Sequence, residues 1–330
     1  MTPLVGVDIA PASVSIIELQ ASAQGPRISH HAQQALADGA WQSALDGEPQ
    51  TLIDAVRRTW KASGSRLRSA ALALPAGAVI TRTLCLPQPA HDDELEWLVE
   101  AEAAQTLPFP REEISLDFAN LGPAANEDGM IDVLLVAARS ERIAQRVAWA
   151  EAAGLKPVVV GVESQAVVAA IDRLCGDRRH AESILHFSRE GTLCLFVRGD
   201  RVLFERELGK PLPTQTAKAD DWYASEVEAW LDAASLEWQR HGQLFAASAA
   251  DGDIDRIHLA GAGALGPRLA DGLRRRLGID VSVPEPFLHW PGVQSGASGG
   301  GGIGDLERGR DPGGSSCLLA CGLALHGLCP

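Results

Sequence analysis

Apolar and polar positions alternate along this chain in two rhythms, one with the period of a strand and one with the period of a helix. Residues 4–9 alternate loosely between apolar and small side chains, break at Ala10-Pro11-Ala12-Ser13, and resume over 14–19. That is the pattern of a β-hairpin closed by small turn residues. Over 52–61 the period changes, with Leu52, Ile53, Val56 and Trp60 at helical spacing. Residues 70–74 and 80–86 read as strands around Pro75-Ala76-Gly77. Residues 92–106 predict a helix: the start is Asp-rich, Leu95, Leu98 and Val99 share a stripe, and Leu107-Pro108-Phe109-Pro110 stops it.

Further on, the pattern predicts a strand at 131–138, an amphipathic helix at 141–153 closed by Gly154, a buried strand at 158–162 and a helix at 164–174. Short strands at 183–187, 192–197 and 202–207, linked by Arg189-Glu190-Gly191 and Gly199-Asp200, predict a meander. A helix at 226–240 follows, then a strand at 257–260 ending in Gly261-Ala262-Gly263, a helix at 269–277 and a strand at 280–283. Residues 291–314 carry ten glycines in 24 positions and no apolar period, which predicts a flexible excursion. Residues 317–325 return as a small-residue helix. The strands thus come in two batches, each followed by helices, and this predicts two α/β lobes.

Composition narrows the function. With 29 Lys and Arg against 43 Asp and Glu, the net charge is −14, which disfavours nucleic acid and anionic membrane surfaces as partners. No run approaches the roughly 20 apolar residues of a bilayer span, and Asp8 interrupts what a signal peptide would need. A cytoplasmic protein is expected. The six cysteines form no CxxC pair, so buried free thiols are expected rather than zinc.

Three segments can carry chemistry. In Val5-Gly6-Val7-Asp8-Ile9-Ala10-Pro11-Ala12-Ser13, an acidic residue at a strand end precedes a small-residue hairpin. It can hold a hydrated metal ion and offer backbone N–H groups to phosphate, or be a plain turn. Glycines 261 and 263, directly after an apolar strand, allow a ligand close to the backbone or simply make a tight turn. Glu163 lies at a strand end and helix start, where the helix dipole favours a carboxylate.

The order of these features resembles that of the actin, Hsp70 and sugar-kinase superfamily. More narrowly, the chain is similar to the PilM-type proteins of type IV pilus assembly. The likeness rests on 5–19 and 75–87, then on Glu94-Leu95, Glu100-Ala101-Glu102, Leu107-Pro108-Phe109-Pro110, Glu113-Ile114-Ser115-Leu116-Asp117-Phe118 and Asp132-Val133-Leu134-Leu135-Val136-Ala137-Ala138. It continues through Ala153-Gly154-Leu155, Tyr223-Ala224-Ser225-Glu226-Val227, Glu237-Trp238-Gln239-Arg240 and Cys321-Gly322-Leu323-Ala324-Leu325. The fold implied is α/β, an actin-like (ribonuclease-H-like) two-lobed fold with an inserted small α/β subdomain and a reduced second lobe. The first subdomain is 1–74 with 155–180 and 315–330. The inserted subdomain is 75–154, and the second lobe is 181–314.

The resemblance also implies a role. It points to a cytoplasmic scaffold of the inner-membrane pilus platform that clamps the N-terminal peptide of a PilN-like bitopic protein between the first two subdomains and links it to pilus motors. ATP and Mg²⁺ are the implied cofactors, with Asp8, Ala10, Ser13, Glu163, Gly261 and Gly263 facing them. The chain departs from the pattern. His186-Phe187-Ser188 stands where the family has Asp-Ile-Gly, followed by Arg189 and Glu190 where small residues are usual. Pro11 lacks an N–H, Ser15 replaces a common Lys, Ala262 replaces a glycine, and the piece between Gly209 and Asp221 is shortened. Together these predict that ATP turnover is lost and nucleotide binding weak or absent. The alternatives are a weak ATPase in which Asp8 and Glu163 hold Mg²⁺ and water, and a divergent relative of the MshI or FtsA type.

Overall fold

The computed structural model describes residues 2–23, 25–89, 91–124, 127–176, 180–188, 191–209, 212, 220–248, 254–261, 265–290 and 317–328. It divides into two compact units: unit 1 is Met1–Ala73 with Trp149–Pro330, and unit 2 is Leu74–Ala148.

Unit 1 opens with the antiparallel strands β1 (Val5–Ile9), β2 (Ser13–Ser22) and β3 (Gly25–Ala35), then helices α1 (Ala40–Leu45) and α2 (Gln50–Ser63) and strand β4 (Ser69–Leu74), parallel to β1. The expected period holds in α2, where Leu52, Ile53, Ala55 and Val56 are buried. They pack with Val5, Val7, Val14, Ile16 and Leu72 of the sheet. Each fully buried aliphatic side chain contributes about 1.5–3 kcal/mol relative to exposure.

The chain then builds unit 2 from β5 (Val79–Pro87), α3 (Asp92–Thr106), β6 (Ile114–Pro123), β7 (Met130–Arg139) and most of α4 (Ser140–Ala153). Its sheet runs β5-β7-β6, antiparallel throughout. Leu95, Val99 and Ala103 of α3 pack on Leu84, Leu86, Ile131, Val133 and Leu135. The opposite face of α3 carries Trp97, 67% exposed.

Back in unit 1, β8 (Lys156–Val162) completes the order β3-β2-β1-β4-β8, and α5 (Glu163–Cys175) follows. A second five-stranded sheet comes from β9 (Glu182–Phe187), β10 (Thr192–Arg198), β11 (Arg201–Leu208), β12 (Arg256–Ala260) and β13 (Asp280–Ser282), ordered β11-β10-β9-β12-β13. Helices α6 (Asp220–Ser248) and α7 (Gly266–Leu277) supply Trp230, Leu231, Trp238, Leu269 and Leu273 to its core with Leu185, Phe187, Phe196 and Leu259. Phe196 stacks on Phe204 at 5.0 Å and meets Trp238 edge-on at 6.1 Å. After α8 (Pro286–His289), the last described helix is α9 (Leu318–Leu325). It packs on β1, β2 and α5. A Cβ on Gly322 would lie 1.8 Å from the Ala166 carbonyl oxygen, so only glycine permits this approach.

Both sheets of unit 1 therefore follow one plan: an antiparallel meander of three strands, with a parallel strand added beside the first.

Several expectations change. The two strands read around Pro75-Ala76-Gly77 do not pair with each other: β4 joins the first sheet of unit 1 and β5 the sheet of unit 2. The strand expected buried at 158–162 is instead the sheet-edge strand β8, with Val158 50% exposed. An edge strand has a neighbour on one side only. Helix α6 outruns the expected 226–240 at both ends, with Phe245 still buried in its last turns. Strands β3 and β6 and helix α1 were not expected. Of the cysteines, Cys194, Cys317 and Cys321 are buried thiols, whereas Cys85 and Cys175 are exposed. The glycine-rich stretch 291–314 lies outside the described residues.

Candidate functional site

The first hairpin places Asp8 opposite Ser15 and Ile9 opposite Val14, with Ala10 to Ser13 turning between them. The Ala10 N–H donates to the Ser13 carbonyl at 3.0 Å, and Leu36 N–H donates to Ala12 at 2.8 Å. With Pro11 lacking a donor, the first half of this turn has no free N–H to offer a phosphate. Asp8 is half-buried. The Ser15 hydroxyl is buried and makes no hydrogen bond to another protein group.

The second hairpin repeats this geometry. His186 stands opposite Leu193 and Phe187 opposite Thr192. The Ser188 N–H donates to the Gly191 carbonyl at 2.9 Å, as Ala10 does to Ser13. His186 is thus the register counterpart of Asp8, and Leu193 of Ser15. Arg189 and Glu190, expected to add bulk here, lie outside the described residues.

Two further elements converge on His186. Glu163, the first residue of α5, brings its Oε1 to 2.7 Å from His186 Nε2, and the side chains are 15% and 8% exposed. An ionised carboxylate only accepts, so Nε2 carries the hydrogen and donates. On the other side, Ala260 pairs with His186 in the parallel ladder, and Gly261 follows it. Gly261 has φ +76°, and a Cβ there would lie 2.3 Å from the Phe187 carbonyl oxygen and 3.5 Å from His186 Cε1. This glycine is required by both its backbone and its neighbours.

Around the pair, His186 Nδ1, Ser164 Oγ and Glu205 Oε2 are buried and make no hydrogen bond to protein groups. Burial pushes the Glu205 carboxyl above the usual carboxylate range. Ser164 nearby pulls it back, although the two do not reach hydrogen-bond geometry, and the charge of Glu163 raises it further. Among the described residues, no group of three or more His, Cys, Asp or Glu has the arrangement of a metal site.

Of the expected site residues, Glu163 and Gly261 meet at His186. Asp8, Ala10 and Ser13 sit in the other hairpin, and Gly263 with Ala262 lies outside the described residues. Ser164 and Glu205 were not expected. Ser164 follows Glu163 directly, which was the available signal, whereas nothing in the half-buried pattern of β11 marks Glu205. No described helix is long and apolar enough to cross a membrane.

Comparison with known proteins places the fold. A solved PilM–PilN type IV pilus biogenesis complex is similar in fold, with a TM-score of 0.77, 24% identity and 99% of each chain covered. The ethanolamine utilization protein EutJ from Carboxydothermus hydrogenoformans matches with a TM-score of 0.49 and 13% identity over 98% of this chain and 90% of that one. An inorganic polyphosphate/ATP-glucomannokinase from Arthrobacter sp. strain KM also gives 0.49, at 12% identity over 99% of each chain. The expected actin-like α/β fold stands. The family model of the type IV pilus assembly protein PilM matches residues 6–210, from β1 through all of unit 2 to the end of β11. The chain belongs to the PilM family of type IV pilus assembly proteins.

Proposed function

We propose that this protein is an adaptor in type IV pilus assembly. It docks the cytoplasmic N-terminal peptide of a PilN-like bitopic partner, works in the cytoplasm, is held at the inner membrane through that partner, and does not turn over ATP. The observation that carries the docking is Trp97. It stands 67% exposed on the outer face of α3, while the inner face of the same helix fills the core of unit 2. A large aromatic side chain left in water beside a filled core is a typical anchor for a partner. The exposed carboxylates Asp93 and Glu96 around it suit a cationic peptide. Glu100, a further candidate for pairing with a peptide arginine, is already engaged by Arg111 at 3.1 Å. The similar solved complex of a PilM with a PilN supports the choice of partner.

The nucleotide clause rests on the hairpins. Asp8, Ala10, Ser13, Glu163, Gly261 and Gly263 remain the residues that would face ATP and Mg²⁺. Glu163, however, is engaged by His186, and the turn after Asp8 is short of free donors. These residues do not fit a hydrated cation with its phosphates.

The test is titration of a labelled N-terminal peptide of the PilN-like protein. Saturable binding is expected, weakened at least about tenfold by Trp97→Ala, which leaves the core untouched. No saturation below about 1 mM, equivalent to roughly −4 kcal/mol, ends the adaptor reading.

A further inference from the structure

We infer that the Glu163–His186 hydrogen bond is a resident bolt between the start of α5 and β9, supplied by the chain in place of a bound cation, so that unit 1 holds together without nucleotide or metal. This rests on the reading above of a protein without ATP turnover.

Four observations converge on it. By register, His186 occupies in the second hairpin the position that Asp8 occupies in the first, so an imidazole stands where the same fold plan otherwise places a carboxylate. The bond is short, 2.7 Å, and both partners are nearly removed from solvent, unlike a mobile surface pair. The ring is walled in: Ala260 is its ladder partner, and Gly261 curls against the Phe187 carbonyl beside Cε1. Finally, α5 touches β8 of the first sheet and β10 and β11 of the second. A bond at its first residue therefore ties the two sheets of unit 1 through one helix.

The chemistry explains why a histidine serves. A carboxylate at this position would face Glu163 with like charge, which is tolerated only if a cation or a proton lies between them. An Nε2–H donor removes that need and satisfies Glu163 directly.

The experiment measures the thermal midpoint of the full chain in EDTA, in millimolar Mg²⁺ and in Mg²⁺ with ATP. It compares wild type, His186→Asp and His186→Gln. The wild-type midpoint is expected to be the same in all three conditions. His186→Asp is expected to melt several degrees lower in EDTA and to regain at least half of that loss in Mg²⁺. His186→Gln keeps an N–H donor and is expected to lose less and to ignore Mg²⁺. If His186→Asp does not fold, Glu163→Ala, which removes the acceptor, carries the test, and a midpoint equal to wild type overturns the bolt. A rise in the wild-type midpoint with Mg²⁺ and ATP overturns it, as does a His186→Asp midpoint equal to wild type in EDTA or one that Mg²⁺ does not raise. Hydrolysis of ATP by wild type would instead remove the reading on which the inference rests.

Discussion

The two hairpins of unit 1 are built alike and chemically opposed. Each turns through four residues, and each closes with the first turn N–H on the last turn carbonyl, at 3.0 Å in one and 2.9 Å in the other. In the β1–β2 hairpin the register position two residues before the turn holds Asp8, half-buried and opposite a serine. In the β9–β10 hairpin the same position holds His186, 6% exposed, opposite a leucine and bonded to Glu163. Backbone topology thus repeats a location, but the side chain decides what that location contacts and how far it is buried. The first hairpin leaves its acidic position half-buried, and the second has its imidazole in the core.

Substitutions can break or sharpen this contrast. The largest effect is expected at Gly261, which seals the second hairpin. In Gly261→Ala the left-handed backbone costs about 1–2 kcal/mol, and a Cβ forced against a carbonyl costs about 1–3 kcal/mol more. Chemical denaturation should therefore report a loss of roughly 3 kcal/mol, and a loss under about 1 kcal/mol would place the turn elsewhere.

Next in size is a matched pair of variants. His186→Ala removes the imidazole donor from the Glu163 carboxylate in a mostly dry setting and should cost roughly 2–4 kcal/mol. Asp8→Ala, at the half-buried counterpart, should cost less than His186→Ala. Equal losses in the two denaturation curves would erase the asymmetry between the hairpins.

A smaller effect concerns pH. Burial, then the charge of Glu163, holds Glu205 above its ordinary range, opposed by Ser164. A carboxyl raised in the folded state favours folding while it is protonated. Its contribution is fully present below the unfolded-state range and is lost as pH rises through the raised value. Glu205→Gln should therefore melt higher than wild type at pH 8, with the gap closing toward pH 4. A gap that is constant with pH would show that the carboxyl is not the cause.

The smallest effect is expected at Ser15, whose buried hydroxyl lacks a protein partner and whose counterpart is Leu193. Ser15→Val should be neutral or stabilising by up to about 1 kcal/mol. A loss above that would reveal a required polar contact in the first hairpin.

Legibility in the sequence followed the strength of local signals. Helix α3 was read to the residue, because an acidic start and a Pro-x-Pro stop bracket its apolar stripe. Strand β3 escaped because Ser29, His30, His31, Gln33 and Gln34 leave Ile28 as its one fully buried aliphatic residue, so no alternation stands out. Strand β6 did carry a period-two signal in Ile114, Leu116 and Phe118, which went unread as a strand. At the site, the sequence marked His186 as the unusual residue in its hairpin but not what it touches. Glu163 is 23 positions away on another element, and only the folded chain brings the two together.

The position of α9 has a consequence for how the protein is made. Unit 2 is a single continuous stretch that leaves the ribosome complete once Ala148 has emerged. Unit 1 is discontinuous: β1 and β2 precede unit 2 in the chain, yet the helix that covers them, seated through Gly322, begins at Leu318, well after it. At about 5–20 residues per second, roughly 10–30 s separate the completion of the two units during translation. Through that interval unit 2 can fold on its own, while the first sheet of unit 1 presents the apolar face of β1 and β2 uncovered. The nascent chain therefore passes through a stage in which one body is finished and the other is a client for chaperones, and the emergence of α9 ends it.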